Sequence, residues 1–276
     1  MPQKLSKIVV WAELIRVHSA FGAALAVWVG GRLADATWQI WWLMPMAVAF
    51  LLSAAGNAFN DAHDVAIDRI NRPKRPIPRA ALTPLEARQL AYGCAVLAFG
   101  LALPFGTGSV LGTLVGIMLL FSYTTHLKSI PLLGNAVVGL LAGMAMGYGG
   151  LLGGKVMAIL LPAATFGLLF GAREVLKTIH DVDGDGTNGL QTIATLAGNR
   201  VALLIATCCM LVALLLFMIW VTANPNGWLT WWLMLLMSLL ILIPLWVAPN
   251  NPQVISWALA CSKVIGLLLL FALSVI

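Results

Sequence analysis

Charge is what this sequence lacks most. Of 276 residues, 16 are basic and 10 acidic, whereas about a quarter of a soluble globular domain is charged. So little charge cannot cover a water-facing surface, which excludes an ordinary soluble enzyme. Cysteine is also scarce. Cys94, Cys208, Cys209 and Cys261 lie inside apolar runs with no metal-like spacing, which excludes a disulfide framework and leaves core packing as their expected role. A cleavable signal is missing too. Lys4 and Lys7 open the chain, but Glu13 and Arg16 interrupt any apolar leader segment.

What the sequence does have is apolar length: 61% hydrophobic residues, a mean hydropathy of +0.96, 11 tryptophans and 26 glycines. This composition predicts an all-α membrane protein, a single polytopic domain over residues 1–276. Charge-free runs and their breakers place nine spans at roughly 10–33, 38–60, 86–103, 108–126, 132–152, 156–178, 200–222, 228–248 and 253–275. Gly106-Thr-Gly108, Asn224-Pro-Asn-Gly227 and Pro249-Asn-Asn-Pro252 divide neighbouring spans. Trp41, Trp42, Trp228, Trp231 and Trp232 fall near span ends, as interfacial belt residues do.

The net charge of +6 does not point to nucleic acid, because the bases gather in a few loops. With the N-terminus inside, Arg69, Arg72, Lys74, Arg75, Arg79, Arg88, Lys128, Arg173, Lys177 and Arg200 fall on the cytoplasmic side. Only Arg32 and Lys155 face the other way. The expected location is therefore the cell membrane, multi-pass, with a polar site facing the cytoplasm.

The scarce acids are clustered: six of the ten lie in Asp61, Asp64 and Asp68 or in Asp181, Asp183 and Asp185. On a helix Asn57, Asn60, Asp61, Asp64 and Asp68 share an arc of roughly 100°. Carboxylates so placed repel unless a cation sits among them. Both clusters end even-numbered spans, which predicts convergence on one cytoplasmic-side cavity enclosed by the helices. Oxygen-only ligands favour hard divalent cations, and Mg²⁺ typically combines one or two carboxylates with phosphate oxygens. The loop from Asn71 to Arg79, with three prolines, supplies a basic rim. Around the second cluster Arg173, Lys177 and Asp181 share one helix side, and Gly184 and Gly186 are expected to loosen the backbone. The two halves also echo each other as a hint of an internal repeat.

Plainer readings stand beside these. The basic loop could set topology or bind anionic lipid. Asp183-Gly-Asp185-Gly could be a polar turn, and it lacks the spacing and closing Glu of a calcium loop. His126 and His180 could serve as metal or acid/base groups but read first as polar span-end residues, and His63 falls off the acidic arc and reads as structural. Acids entering a bilayer are harder to explain structurally, because they are costly there.

These residues resemble a known family. Asn60-x-x-x-Asp64-x-x-x-Asp68 followed by Arg-Ile-Asn-Arg-Pro-Lys-Arg-Pro-Ile-Pro is similar to the first signature of the UbiA-type intramembrane prenyltransferases. Asp181-x-x-x-Asp185, within Arg-Glu-Val-Leu-Lys-Thr-Ile-His-Asp-Val-Asp-Gly-Asp, resembles the second. Tyr123-Thr-Thr-His-Leu-Lys128 followed by Gly134-Asn135 resembles the middle element.

The resemblance implies a polyprenyl diphosphate donor, a lipophilic acceptor and two Mg²⁺, with Mn²⁺ as a substitute. It implies one metal on Asn60, Asp64 and Asp68 and the other on Asp181 and Asp185. Asp61 fits the family's Asn-Asp start. Substrate contacts are expected from Arg16, Asn57, Asn60, Asp61, Arg72, Tyr123, Arg173 and Lys177, and Lys128 is expected to serve both binding and catalysis. Diphosphate departure would leave an allylic cation for the acceptor to capture in a dry pocket. His18 and Ser19 follow Arg16 where the family often has Pro-x-Asn, and Ala80-Ala81 stands where many members have Ser-Gly.

The loop and the Arg-Glu-Val-x-Lys approach look most like the branch that builds archaeal-type ether lipids. There, geranylgeranyl diphosphate alkylates geranylgeranylglyceryl phosphate. Aromatic quinone precursors and tetrapyrroles stay open as acceptors, because the same loop is similar in those enzymes. A secondary transporter is the reading from another class. Acids at span ends rather than at midplane, and the lack of a Gly/Pro-broken helix pair, weigh against it.

Overall fold

The computed structural model describes residues 6–187 and 189–275; Lys4 lies outside them. All regular structure among these residues is helical. In chain order the helices are α1 (Lys7–Ile15), α2 (Val17–Leu33), α3 (Leu43–His63), α4 (Val65–Asn71), α5 (Pro84–Ala102), α6 (Gly106–Thr125) and α7 (Leu133–Leu152). There follow α8 (Leu160–His180), α9 (Val182–Thr187), α10 (Ile193–Ala197), α11 (Asn199–Ala223), α12 (Trp228–Val247) and α13 (Pro252–Val275).

Among the described residues, six stretches are long and apolar enough to cross a membrane, or seven if α1 and α2 count as one span bent by 52°. The sequence divides Pro84–Thr125 into two spans. Here it forms one 42-residue stretch, because only the short turn Leu103–Phe105 separates α5 from α6.

Two compact units emerge: residues 1–24 with 40–126, and 25–39 with 127–276. In the first, Ala87, Ala91, Ala95, Ala98 and Ala102 form a buried stripe on α5, and α3 buries Ala54, Ala55, Ala58 and Ala62. Without a hydrophobic drive between helices in lipid, such small side chains let backbones approach closely. Val10 and Leu14 of α1 join Ala58, Ala62, Ala87 and Ala91 in one core, which also takes in Ile77 of the basic loop and Leu82 just after it. That loop is therefore anchored by apolar residues within and just after it. Thr83 and Glu86 then start α5 with a reciprocal capping box, with Pro84 in the first turn.

The second unit closes on glycine. A Cβ on Gly139 would stand 2.6 Å from the Gly167 carbonyl oxygen, and one on Gly149 would stand 1.8 Å from that of Val27. Met146, Ile159, Phe166, Phe217 and Trp220 fill one core of this unit, and Leu176, Leu203, Met210 and Leu245 fill another.

Several expectations need correction. The first span breaks at Arg16, which caps α1 in the left-handed conformation (φ 50°, ψ 61°). Trp42 is fully buried and stacks on Trp41 at 4.5 Å between ring centroids. Trp231 donates its indole N–H to the Leu214 carbonyl at 3.1 Å. These two tryptophans pack inward, unlike the exposed Trp228 and Trp232. Cys208 is exposed rather than in the core, and none of the four cysteines is paired. Gly184 and Gly186 lie within helix α9 instead of loosening a loop.

Gly139→Val should lower the melting temperature, because overpacking typically costs about 1–3 kcal/mol. Gly147, with no neighbour within 4 Å of an added Cβ, should instead gain about 0.5–1 kcal/mol as Gly147→Ala. Tryptophan-fluorescence melts in detergent read both.

Candidate active site

The long helix α3 does not run unbroken through the first acidic cluster. It ends at His63, Asp64 leaves helical geometry (φ −91°, ψ 21°), and α4 resumes at Val65. The i to i−4 ladder nevertheless continues, from the Asp64 N–H to the Asn60 carbonyl at 2.9 Å and from the Asp68 N–H to the Asp64 carbonyl at 2.8 Å. Helical spacing is kept while the axis can bend. Asp61, Asp64 and Asp68 are all buried.

Asp61 is not an open ligand. Its Oδ1 accepts from Arg16 at 2.5 Å and from Arg75 at 3.1 Å. Arg16 also donates to Asn57 Oδ1 at 2.8 Å, and Asn57 Nδ2 donates to the Ile15 carbonyl at 3.1 Å. Asn57 and Asp61 thus hold the α1–α2 break in place. Arg75 Nη1 donates in addition to Asp68 Oδ2 at 2.6 Å. Arg79 reaches Glu13 at 2.6 Å and ties the basic loop to α1.

Burial pushes the Asp68 carboxyl above the usual carboxylate range; Arg75 opposes this, and Asp61 and Asp64 add to it. Arg72 ends α4, with its N–H on the Asp68 carbonyl at 2.8 Å. Asn60 Oδ1 is buried without a hydrogen-bond partner. A buried orphan acceptor beside carboxylates suits a cation.

In the second unit the local geometry repeats. Helix α8 ends at His180, Asp181 caps it with φ −98° and ψ 7°, and α9 follows. The Asp181 N–H meets the Lys177 carbonyl at 3.0 Å, and the Asp185 N–H meets the Asp181 carbonyl at 3.0 Å. In each unit the first aspartate of an Asp-x-x-x-Asp pair sits at the break and takes the second onto its own carbonyl. Asp185 is buried, whereas Asp183 is exposed.

Glu174 clamps both bases expected here: Arg173 donates to it at 2.8 Å and Lys177 at 3.0 Å. Arg173 Nε is buried without a partner, so that guanidinium has donor capacity to spare. Tyr123 lies on α6, and Lys128 lies half-buried in the short turn Leu127–Ser129.

No group of three or more His, Cys, Asp or Glu side chains is preassembled as a metal site among the described residues. Mg²⁺ typically takes one or two carboxylates and completes its shell with phosphate oxygens and water, so a preassembled cluster is not required. Three elements escaped the sequence reading. Arg75 had been placed only in the rim, and its bond to Asp68 depends on the course of the loop. Glu174 was visible only as a base-flanked acid. The histidines were set aside, yet His63 Nδ1 lies 3.4 Å from Asp64 and His180 Nδ1 lies 2.8 Å from Asp181.

An apolar chain, helical among the described residues, with two Asp-x-x-x-Asp helix breaks and a basic loop has the makings of a membrane enzyme. The chain matches the UbiA prenyltransferase family over residues 19–274 and belongs to it; it is a prenyltransferase. It is 32% identical to the digeranylgeranylglyceryl phosphate synthase of Sulfolobus acidocaldarius, over 71% of this chain and 72% of that one. Among solved structures, one of a digeranylgeranylglyceryl phosphate synthase superposes with a TM-score of 0.74 at 26% identity, covering 98% of both chains. A UbiA homologue from Archaeoglobus fulgidus bound to GPP and Mg²⁺ shares the fold, with a TM-score of 0.75 at 15% identity over 97% of this chain and all of that one.

Asp61→Ala would leave Arg16 and Arg75 without their shared carboxylate. It should cost about 3–5 kcal/mol of stability, as breaking a buried ion pair does. Asp183→Ala at the exposed position should stay within about 0.5 kcal/mol. Thermal melts compare the two. The raised Asp68 carboxyl means that the folded state holds that proton to higher pH than the unfolded chain does. Stability of the chelated protein should therefore fall as pH rises above about 4, the ordinary Asp value. Asp68→Asn should flatten that slope in melts taken with EDTA.

Proposed function

We propose that this chain transfers a geranylgeranyl group from its diphosphate to the free hydroxyl of geranylgeranylglyceryl phosphate, in ether-lipid synthesis. The observation that carries the reading is the duplicated helix break, Asp64 with Asp68 and Asp181 with Asp185. The relatives named as digeranylgeranylglyceryl phosphate synthases support the choice of acceptor. Asn60, Asp64 and Asp68 would hold one Mg²⁺, and Asp181 and Asp185 a second, with Mn²⁺ as a substitute. Bound there, the metal supplies Lewis-acid neutralisation of the departing diphosphate.

The protein's own groups do the rest. Arg72, Lys128, Arg173 and Lys177 take remaining phosphate charge. Glu174 holds Arg173 and Lys177 in register, and Tyr123 contributes to substrate contact. Arg16, Asn57 and Asp61 brace the first motif through their mutual hydrogen bonds and contact the substrate from there. Apolar helices exclude water, so that the acceptor oxygen meets the allylic cation. The proposal includes nine crossings: α1–α2 as one bent span, α5 and α6 separately, and α13. It places the active site on the cytoplasmic face of the cell membrane within one catalytic domain.

The test is prenyl transfer by detergent-solubilised protein, with Mg²⁺ or EDTA, over a panel of acceptors. Parent protein should alkylate geranylgeranylglyceryl phosphate and ignore 4-hydroxybenzoate. EDTA, Asp64→Ala and Asp181→Ala should each reduce turnover by about a hundredfold or more. The reverse acceptor preference would overturn the lipid assignment, and folded, fully active aspartate variants would overturn the metal assignment.

A further inference from the structure

Arg75 occupies an unusual position for a phosphate-binding base, because its guanidinium is spent on the acids. One nitrogen, Nη1, serves both Asp61 and Asp68. The two carboxylates differ in what else they have. Asp61 keeps Arg16 at 2.5 Å even if Arg75 leaves. Asp68, 7% exposed, has Arg75 as its ion-pair partner. The Arg75 side chain is itself about one-fifth exposed, so it can swing outward without opening a core. Its loop need not move. Ile77 and Leu82 are packed beneath it, Arg79 pins it to Glu13, and the Arg79 N–H closes a turn on the Arg75 carbonyl at 3.1 Å.

Charge counting says when the swing should occur. Asp61 and Asp68 carry two negative charges against the two positive charges of Arg16 and Arg75, so these four groups already balance. A divalent cation arriving alone would overfill this buried site and must compete with Arg75 for Asp68. A divalent cation arriving with a diphosphate brings its own negative charge, and that anion offers the guanidinium a bidentate partner. We propose that Arg75 is a positioning residue that holds Asp68 until the diphosphate takes it. Metal and donor then bind the first motif interdependently, each raising the affinity of the other. This rests on the metal assignment proposed above for Asn60, Asp64 and Asp68. Asn60 Oδ1, buried and without a partner, is the acceptor that stays ready throughout. Coupling between two ligands is reciprocal and typically 5- to about 150-fold.

The test measures binding and needs no turnover. Free Mn²⁺ is followed by electron paramagnetic resonance as it is titrated into the full-length chain in detergent, with and without inorganic diphosphate. Protein-free controls correct for the soluble Mn²⁺–diphosphate complex. Parent, Arg75→Gln, Arg75→Lys and Asp64→Ala are compared, and melts establish that each is folded. Without diphosphate, Arg75→Gln should bind Mn²⁺ about tenfold tighter or more than parent. Diphosphate should tighten Mn²⁺ strongly in parent and much less in Arg75→Gln. Arg75→Lys keeps the charge without the fork, should fall between the two, and decides the matter if the glutamine variant does not fold. Equal Mn²⁺ affinity in parent and the Arg75 variants, with Asp64→Ala removing a site from all of them, would overturn the role of Arg75 alone. Mn²⁺ binding unaffected by Asp64→Ala would overturn the metal assignment beneath it.

Discussion

The first unit depends on one buried carboxylate shared by two arginines. Asp61 is 1% exposed and meets Arg16 and Arg75 from elements far apart in sequence. A charge so buried is costly unless it is compensated, so the chain is constrained to bring both guanidiniums to it. That constraint accounts for the left-handed backbone at Arg16, which non-glycine residues adopt only when their surroundings over-determine them. It also accounts for the return of the basic loop onto α3 and α4. With Arg79 on Glu13 and Ile77 in the alanine-lined core, the loop becomes part of the site rather than a passive topology signal.

Much of this was legible in the sequence. Span boundaries fall within a few residues of the helices because charge and Gly/Pro punctuation are stark in so apolar a chain. The acidic motifs were legible for the same reason, since few acids exist to distract from them. What escaped was tertiary. The breaks at Arg16 and Asp64 are absent from the hydropathy pattern, as both lie where a helix is locally acceptable. The inward packing of Trp42 could not be told from a belt position, because both sit at a span end. The helical backbone through Gly184 and Gly186 runs against propensity by about 1 kcal/mol per glycine. It is carried instead by the ladder bond from the Asp185 N–H to the Asp181 carbonyl.

The two motifs solve one electrostatic problem in the same way. Asp64 and Asp181 each follow the last residue of a 21-residue helix, where the helix macrodipole presents its negative end. A carboxylate there is disfavoured by about 0.3–1 kcal/mol, and more when partly buried, whereas a cation is favoured by a like amount. Nothing in helix formation calls for an acid at that place, so its presence twice, with a second aspartate four residues on, is a demand for positive charge. Each unit answers in part from its own chain: a histidine immediately before the break, Arg75 in one unit and the Glu174-held bases in the other. In the first unit neither His63 nor Arg75 hydrogen-bonds the orphan oxygen of Asn60. Each unit therefore concentrates its few charges at its own helix break, where a cation lowers the energy, while the rest of the chain remains apolar.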